Sequence, residues 1–287
     1  MDFRKKNEDG SLKIIKMPRR LGTLKVTPEE TMKVAFTDVE TTGLDGNIHK
    51  IIELGVVLTE VCLKTGLVIK GLDVFESYND PEEQISERIT KINNINNDMV
   101  KGIKIDWSEK GKAFGILNSA QMIVCHNTKF DRSFLVKQMP MLTKKVWGCS
   151  QSQIDWLEDG MEKNNLIILC MAHGFYYDAH KALDDCLATT VLMRCKSRDG
   201  RFYLKHIMDD LKKPKTKVIV RGNDYNQKEL WKEEGFAWDF DKQAQVAFFD
   251  GPADEVEKEV VKDLEKKRLS FENIECVKIT PAQRFAP

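Results

Sequence analysis

The chain has 287 residues, enough for one large domain and a small one. Its 41% hydrophobic and 31% charged content fits a soluble globular protein, and no apolar run approaches the ~20 residues that span a bilayer, so no membrane partner is expected. The formal net charge is zero, which excludes a polycation that coats nucleic acid indiscriminately. Seven cysteines, odd in number and without a CxxC pair, argue against a disulfide framework or zinc knuckle and for a reducing cytoplasm.

Residues 1–30 read as a mobile basic arm, with no apolar stretch or small-residue cleavage site of a secretory signal. A strand runs through Val34-Ala35-Phe36 into Thr37-Asp38-Val39-Glu40, and Thr41 to Gly46 supplies turn residues. Ile51 to Leu58 is β-branched and apolar, a second strand. A third covers Leu67 to Phe75 after a Thr65-Gly66 turn, which makes the start of the chain an antiparallel meander. From Pro81 the pattern is helical, interrupted around Asn93 to Asn97.

Helix and strand then alternate: helix over Lys110–Leu117, buried strand over Met122–Cys125, and helix over Lys129–Met139, stopped by Pro140. Further helices cover Asn165–Gly174 and Ala182–Arg194. This alternation indicates an α/β domain with a mixed sheet. The charged, proline-bearing stretch Lys212 to Lys215 marks a boundary. Beyond it lie strand Val218–Val220, helix Gln227–Glu234, strand Gln245–Phe249, helix Ala253–Arg268 and strand Ile274–Ile279, a small α/β domain over residues 217–287. That segment carries 12 basic and 15 acidic side chains, so it lacks a strongly basic grip. Tyr225, Trp231, Phe236 and Trp238 read as its core, with stacking surfaces for bases as the sharper alternative.

Three segments carry candidate chemistry. Asp38 and Glu40, two apart on a strand, project to one face. They follow an apolar run, where ionised carboxylates are costly unless neutralised, and a hard divalent cation neutralises them directly. The second segment is VCHNTKFDRSFL, where a buried strand ends at His126-Asn127 and Asp131 opens a helix. The third is AHKALDDCLATTVLM. Five residues of regular helix subtend about 140°, so His180 must sit on the entering loop to share a site with Asp185, and Asp184 is the bystander. Glu53 lies on the apolar second strand, where a buried acid needs a partner. Trp147, Cys149 and Trp156 read as core.

In order and spacing, Asp-x-Glu, Asp and His-x4-Asp resemble the DEDDh exonuclease superfamily, the group of the DNA polymerase III epsilon proofreading subunit. FTDVETTGL, HNTKFDRSFL and AHKALDDCLA match its three motifs, and IIELGVVL and ITKINNINNDMVKGIKID resemble its second strand and pocket-lining segment. The resemblance implies a ribonuclease H-like mixed sheet flanked by helices, with an exonuclease domain over residues 31–212. It implies two divalent cations, Mg²⁺ with Mn²⁺ substituting, held by Asp38, Glu40, Asp131 and Asp185, and His180 as general base, an imidazole being suited to exchange protons near neutral pH. Two cations of this kind activate water and clamp both oxygens of an in-line displacement. The resemblance also implies that Thr41, Thr42 and Leu44 touch the terminal nucleotide, Thr41 by donating to the 3′ end, and that Asn127 steadies Asp131 or the phosphate. His126 reads as structural.

The expected activity is removal of nucleoside 5′-monophosphates from the 3′ end of single-stranded DNA, in proofreading or repair and alongside a DNA polymerase. Two other readings stay open. One is a 3′–5′ exoribonuclease, because the metal chemistry acts on a phosphodiester common to both nucleic acids and selection lies around the 2′ position. The other is a catalytically silent nucleic-acid-binding module, which the presence of all five active-site residues disfavours.

Overall fold

The computed structural model describes residues 5–6, 12–19, 21–26, 28, 30–222, 227–240 and 242–286, with backbone alone at positions 5, 6, 12 and 13. The chain divides into two compact units, Met1–Asp210 with Phe285–Pro287, and Leu211–Arg284.

The first unit is organised by a five-stranded mixed sheet. Strands β1 (Thr31–Thr41), β2 (Ile51–Cys62) and β3 (Val68–Tyr78) form the expected antiparallel meander. Strand β4 (Met122–Cys125) then joins β1 in parallel, and β5 (Val146–Cys149) joins β4 in parallel. The spatial order is β3-β2-β1-β4-β5, the ribonuclease H-like arrangement. Helices α1 (Glu87–Asn93) and α2 (Asn97–Val100) follow the meander, and the break between them has a local cause. Asn94 ends α1 in the left-handed conformation (φ 60°), and Asn96 caps α2 by accepting the Met99 N–H.

Cross-strand partners share a face, and the two faces of β1 and β2 differ. Ala35, Thr37 and Val39 stand opposite Leu58, Val56 and Leu54. All but Thr37 enter an apolar core with α3 (Lys112–Ser119) and α4 (Thr128–Gln138). Val34, Phe36, Asp38 and Glu40 occupy the other face, opposite Thr59, Val57, Gly55 and Glu53. Against that face packs α6 (Ala182–Met193), which follows α5 (Leu166–Ala172) and is almost wholly buried. A buried helix has no polar stripe to display, and this explains the weak amphipathic signal of ALDDCLATTVLM.

Among the elements not assigned from sequence are β5, α7 (Tyr203–Asp210), and two strands of two residues that pair in parallel, Phe175–Tyr176 and Ile15–Lys16. The last alters the expected mobile arm. Within residues 14–26, Met17 is buried, and Leu24 N–H donates to Ile69 O at 3.0 Å.

The second unit is an antiparallel sheet of β6 (Lys215–Arg221), β7 (Ala237–Asp239), β8 (Ala244–Asp250) and β9 (Asn273–Ile279), in the order β7-β8-β6-β9. It carries α8 (Lys228–Glu233) and α9 (Ala253–Lys266), whose Val256, Val260 and Leu264 recur every four residues as a helix interior requires. Trp231 and Phe236 are buried in this core, whereas Trp238 is 42% exposed; Tyr225 lies outside the described residues. Among the described residues no helix is long and apolar enough to cross a membrane.

Candidate active site

The acidic ends of β1 and β2 meet the first turn of α6 because of one glycine. Gly55 stands opposite Asp38, and a Cβ there would lie 2.4 Å from the Ala182 carbonyl carbon. Without that Cβ the helix end settles onto the strand. Ala182 N–H donates to Glu53 Oε2 at 2.9 Å, which gives the buried Glu53 its partner from 129 residues away. The same approach brings Asp185 to Asp38 and Glu40, and carboxylate oxygens of all three lie within 4.8 Å of one another.

Asp131 is not one of that trio. It is buried on α4, and its Oδ1 accepts the Val39 N–H at 3.1 Å, beside Asp38. His180 is exposed and adopts the left-handed region (φ 64°) on the loop entering α6. A left-handed residue other than glycine is uncommon, with histidine among the more tolerant.

The electrostatics are those of crowded acids. Burial, then Asp131, Asp185, Glu40 and Glu53, push the Asp38 carboxyl well above the usual carboxylate range. Burial and the neighbouring Asp185 raise Glu40 to about 8, against a partial offset from Asn93, whose Nδ2 donates to Oε2 at 3.3 Å. Burial raises Asp131 to about 7, and burial also raises Asp185 and Glu53. Desolvated like charges of this kind hold protons until a cation displaces them. The donor set is all oxygen, which suits a hard divalent ion, and the residues therefore fit such a metal.

Two residues that the sequence reading did not single out hold these acids. Asn93, buried at the end of α1, reaches Glu40 while its Oδ1 accepts the Ile95 N–H at 3.0 Å. Tyr177 donates its hydroxyl to Asp185 Oδ1 at 2.7 Å, and Lys181 N–H donates to Oδ2 at 3.1 Å. Burial, followed by the nearby Asp185 charge, raises the Tyr177 phenol, so it remains a donor. No local spacing announces either residue; each is found only once the helices are placed.

The expected nucleotide-contacting residues separate into two groups. Leu44 is 85% exposed, and with Asn127, Phe130 and Lys137 it lines an open cleft of about 550 Å³. Asn127 is the N-cap residue of α4, but its side chain makes no capping hydrogen bond. Thr41 is buried, and its hydroxyl donates to Gly43 O at 2.7 Å within the turn that follows β1. Thr42 Oγ1 donates to Glu83 Oε1 at 2.7 Å and accepts the Lys50 N–H at 3.0 Å. His126 is engaged at both ring nitrogens, with Ser150 Oγ at 2.9 Å and Asn164 O at 2.8 Å, and burial lowers its pKa to about 4.

Comparison with known proteins places this geometry. The exonuclease family profile, RNase_T, matches residues 35–193. The DNA polymerase III subunit epsilon of Treponema pallidum (strain Nichols) is 28% identical over 202 residues, which cover 66% of this chain and 88% of that protein. The epsilon subunit of Buchnera aphidicola subsp. Schizaphis graminum is 27% identical, covering 61% and 74%. A PolC-type DNA polymerase III of Caldanaerobacter subterraneus subsp. tengcongensis is 35% identical over 53% of this chain, which spans only 11% of that much longer protein. The chain belongs to the exonuclease family, as a DEDDh 3′–5′ exonuclease of the DNA polymerase III epsilon type.

Proposed function

We propose that this exonuclease shortens single-stranded DNA from its 3′ end and releases nucleoside 5′-monophosphates. Asp38, Glu40, Asp131 and Asp185 hold two divalent ions, Mg²⁺ in the cell and Mn²⁺ as a substitute. The observation that carries this reading is the meeting of three carboxylates within 4.8 Å where the half-buried end of β1 meets the first turn of α6, a place where a divalent cation neutralises them directly. The chemistry supplied by such ions is activation of water and neutralisation of charge on the phosphate.

The chain's own residues do the remaining work. His180, on its strained exposed loop, takes the proton of the attacking water. Tyr177 and the Lys181 amide fix the two oxygens of Asp185 in one orientation, and Asn93 does the same for Glu40. Leu44 and Asn127 face the terminal nucleotide across the open cleft, with Phe130 forming part of its wall. The matches to epsilon subunits support a DNA substrate, a role in proofreading or repair beside a polymerase, and work in the cytoplasm. We assign residues 31–212 to catalysis and residues 217–287 to an accessory domain.

Degradation of 5′-labelled DNA and RNA strands of matched sequence, with Mg²⁺, Mn²⁺ or EDTA, tests the proposal. The expected result is a metal-dependent ladder on DNA that shortens from the 3′ end. A ladder on RNA alone would transfer the assignment to an exoribonuclease, and no cleavage of either strand would refute the catalytic reading.

A further inference from the structure

The loop that presents His180 is held on its α6 side by Asp185, which accepts from the Tyr177 hydroxyl and the Lys181 N–H. Between the strand Phe175–Tyr176 and α6 it contains five residues, and His180 there is exposed with a left-handed backbone. A loop of this kind holds a side chain in one place only if its flanks are fixed.

Its flanks are fixed from the far end of the sequence. Ile15 N–H donates to Gly174 O at 3.0 Å and Met17 N–H to Tyr176 O at 2.8 Å, which adds a parallel strand beside the residues that lead into the loop. Met17 is buried, so the segment is anchored by packing as well as by its backbone. Lys16 Nζ pairs with Asp178 Oδ2 at 2.8 Å, on the loop itself. Arg19 then reaches past the loop to α6. Its Nε donates to Asp184 Oδ1 at 2.6 Å, and its Nη2 donates to Glu76 Oε1 on β3 at 3.2 Å. Asp184 is only 4% exposed and adjoins Asp185, so Arg19 supplies the counter-charge that a buried carboxylate requires. One guanidinium thus ties the first turn of α6 to the sheet edge, with the directional fork that suits it to bridge two carboxylates.

We propose that residues Ile15–Arg19 form a strap that positions the His180 loop and the Asp185 turn, with Arg19 as its principal positioning residue. This rests on the catalytic assignment of His180 and Asp185 made above. It also changes two readings: Asp184 is the strap's anchor and not a bystander, and residues Ile15–Arg19 are a fixed strap and not part of a mobile arm.

The test uses the full chain with Arg19→Ala, Arg19→Lys and Lys16→Ala, all at solvent-accessible side chains, with the thermal midpoint of each followed to show that it is folded. Because displacement of catalytic groups by about 1 Å costs up to ~100-fold, Arg19→Ala is expected to lower kcat on single-stranded DNA roughly tenfold. KM should stay within about twofold, since uniform binding is not what the strap provides. Arg19→Lys should recover most of the loss and Lys16→Ala should show a smaller one. Hydrogen exchange of amides 175–181 is measured on the same proteins and should quicken in Arg19→Ala. Unchanged kcat, or a higher KM with kcat intact, would overturn the strap, the latter by showing that Arg19 grips substrate. Should the wild-type protein cleave nothing, the catalytic reading falls, and unchanged exchange in residues 175–181 would overturn the strap independently.

Discussion

One face of β1 and β2 presents Ala35 and Val39 opposite Leu58 and Leu54, all in the apolar core beneath α3 and α4. The other begins in the same manner with Val34 and Phe36 but ends with Asp38 and Glu40 opposite Gly55 and Glu53. These are alternate residues of the same two strands, so backbone hydrogen bonding is common to both faces and only the side chains differ. The apolar face removes surface from water and holds the sheet in place. The acidic end does the reverse, for it gathers charges that raise one another's pKa. The stability of one face is what keeps the costly arrangement of the other together, as active sites in general draw on the structure around them.

The comparison predicts separable failures. The largest effect is expected from Asp38→Asn, which keeps the shape and removes the charge. The loss of several kcal/mol of metal-borne stabilisation corresponds to a rate about 10³-fold lower in single-turnover cleavage of labelled DNA. The thermal midpoint of the metal-free protein should not fall, since an amide replaces a carboxyl that burial and neighbouring acids make costly to ionise. Next is Gly55→Ala, whose Cβ would push the Ala182 carbonyl away and move Asp185 with it. A cleavage rate lower by about 100-fold is expected at unchanged oligonucleotide affinity. A rate within twofold of wild type would show that the helix approach is not tuned as described.

On the apolar face the expected signs reverse. Leu54→Ala should cost about 2–5 kcal/mol, a fall in thermal midpoint of roughly 5–15 °C by the scaling for domains of this size, with cleavage per folded molecule nearly unchanged. Equal damage to rate and stability would blur the distinction between the faces. The smallest effect concerns pH. Glu40 has its carboxyl raised from 4.5 to about 8 in the folded chain, so its contribution to stability is whole below pH 4.5 and is lost as pH rises through 8. Metal-free Glu40→Gln should therefore match wild type near pH 4.5 and exceed it by a few degrees near pH 8, and saturating Mg²⁺ should remove the difference. A gap independent of pH would contradict the raised value.

Much of this is legible in the sequence. Asp38 and Glu40 follow the contiguous apolar run Val34-Ala35-Phe36, and their shared face follows from the two-residue repeat of strand geometry alone. The placing of His180 on a loop follows from helix geometry in the same way, and the structure gives it a left-handed backbone there. The contacts of Asn93 and Tyr177 were not legible, because each depends on where a helix lands. Nor was the partner of Glu53, a backbone amide supplied across 129 residues by the close approach at Gly55. Strand β5 escaped because it is four residues long and contains a glycine, and residues Val146–Cys149 are strand only because β4 is there to pair with. The strap escaped for a related reason: Lys16 and Arg19 look like surface charge until Asp178 and Asp184 are found beside them.

The most direct test of the central claim, that the acidic end of β1 and the first turn of α6 form a cation-holding centre, is calorimetric titration of Mn²⁺ into the metal-free protein near pH 7. Wild type should bind with a heat that depends on the ionisation enthalpy of the buffer, because carboxyl groups with raised pKa release protons as the ion enters, and Asp38→Asn should lose most of that binding. Binding of equal strength in Asp38→Asn, or no binding in wild type, would contradict the account.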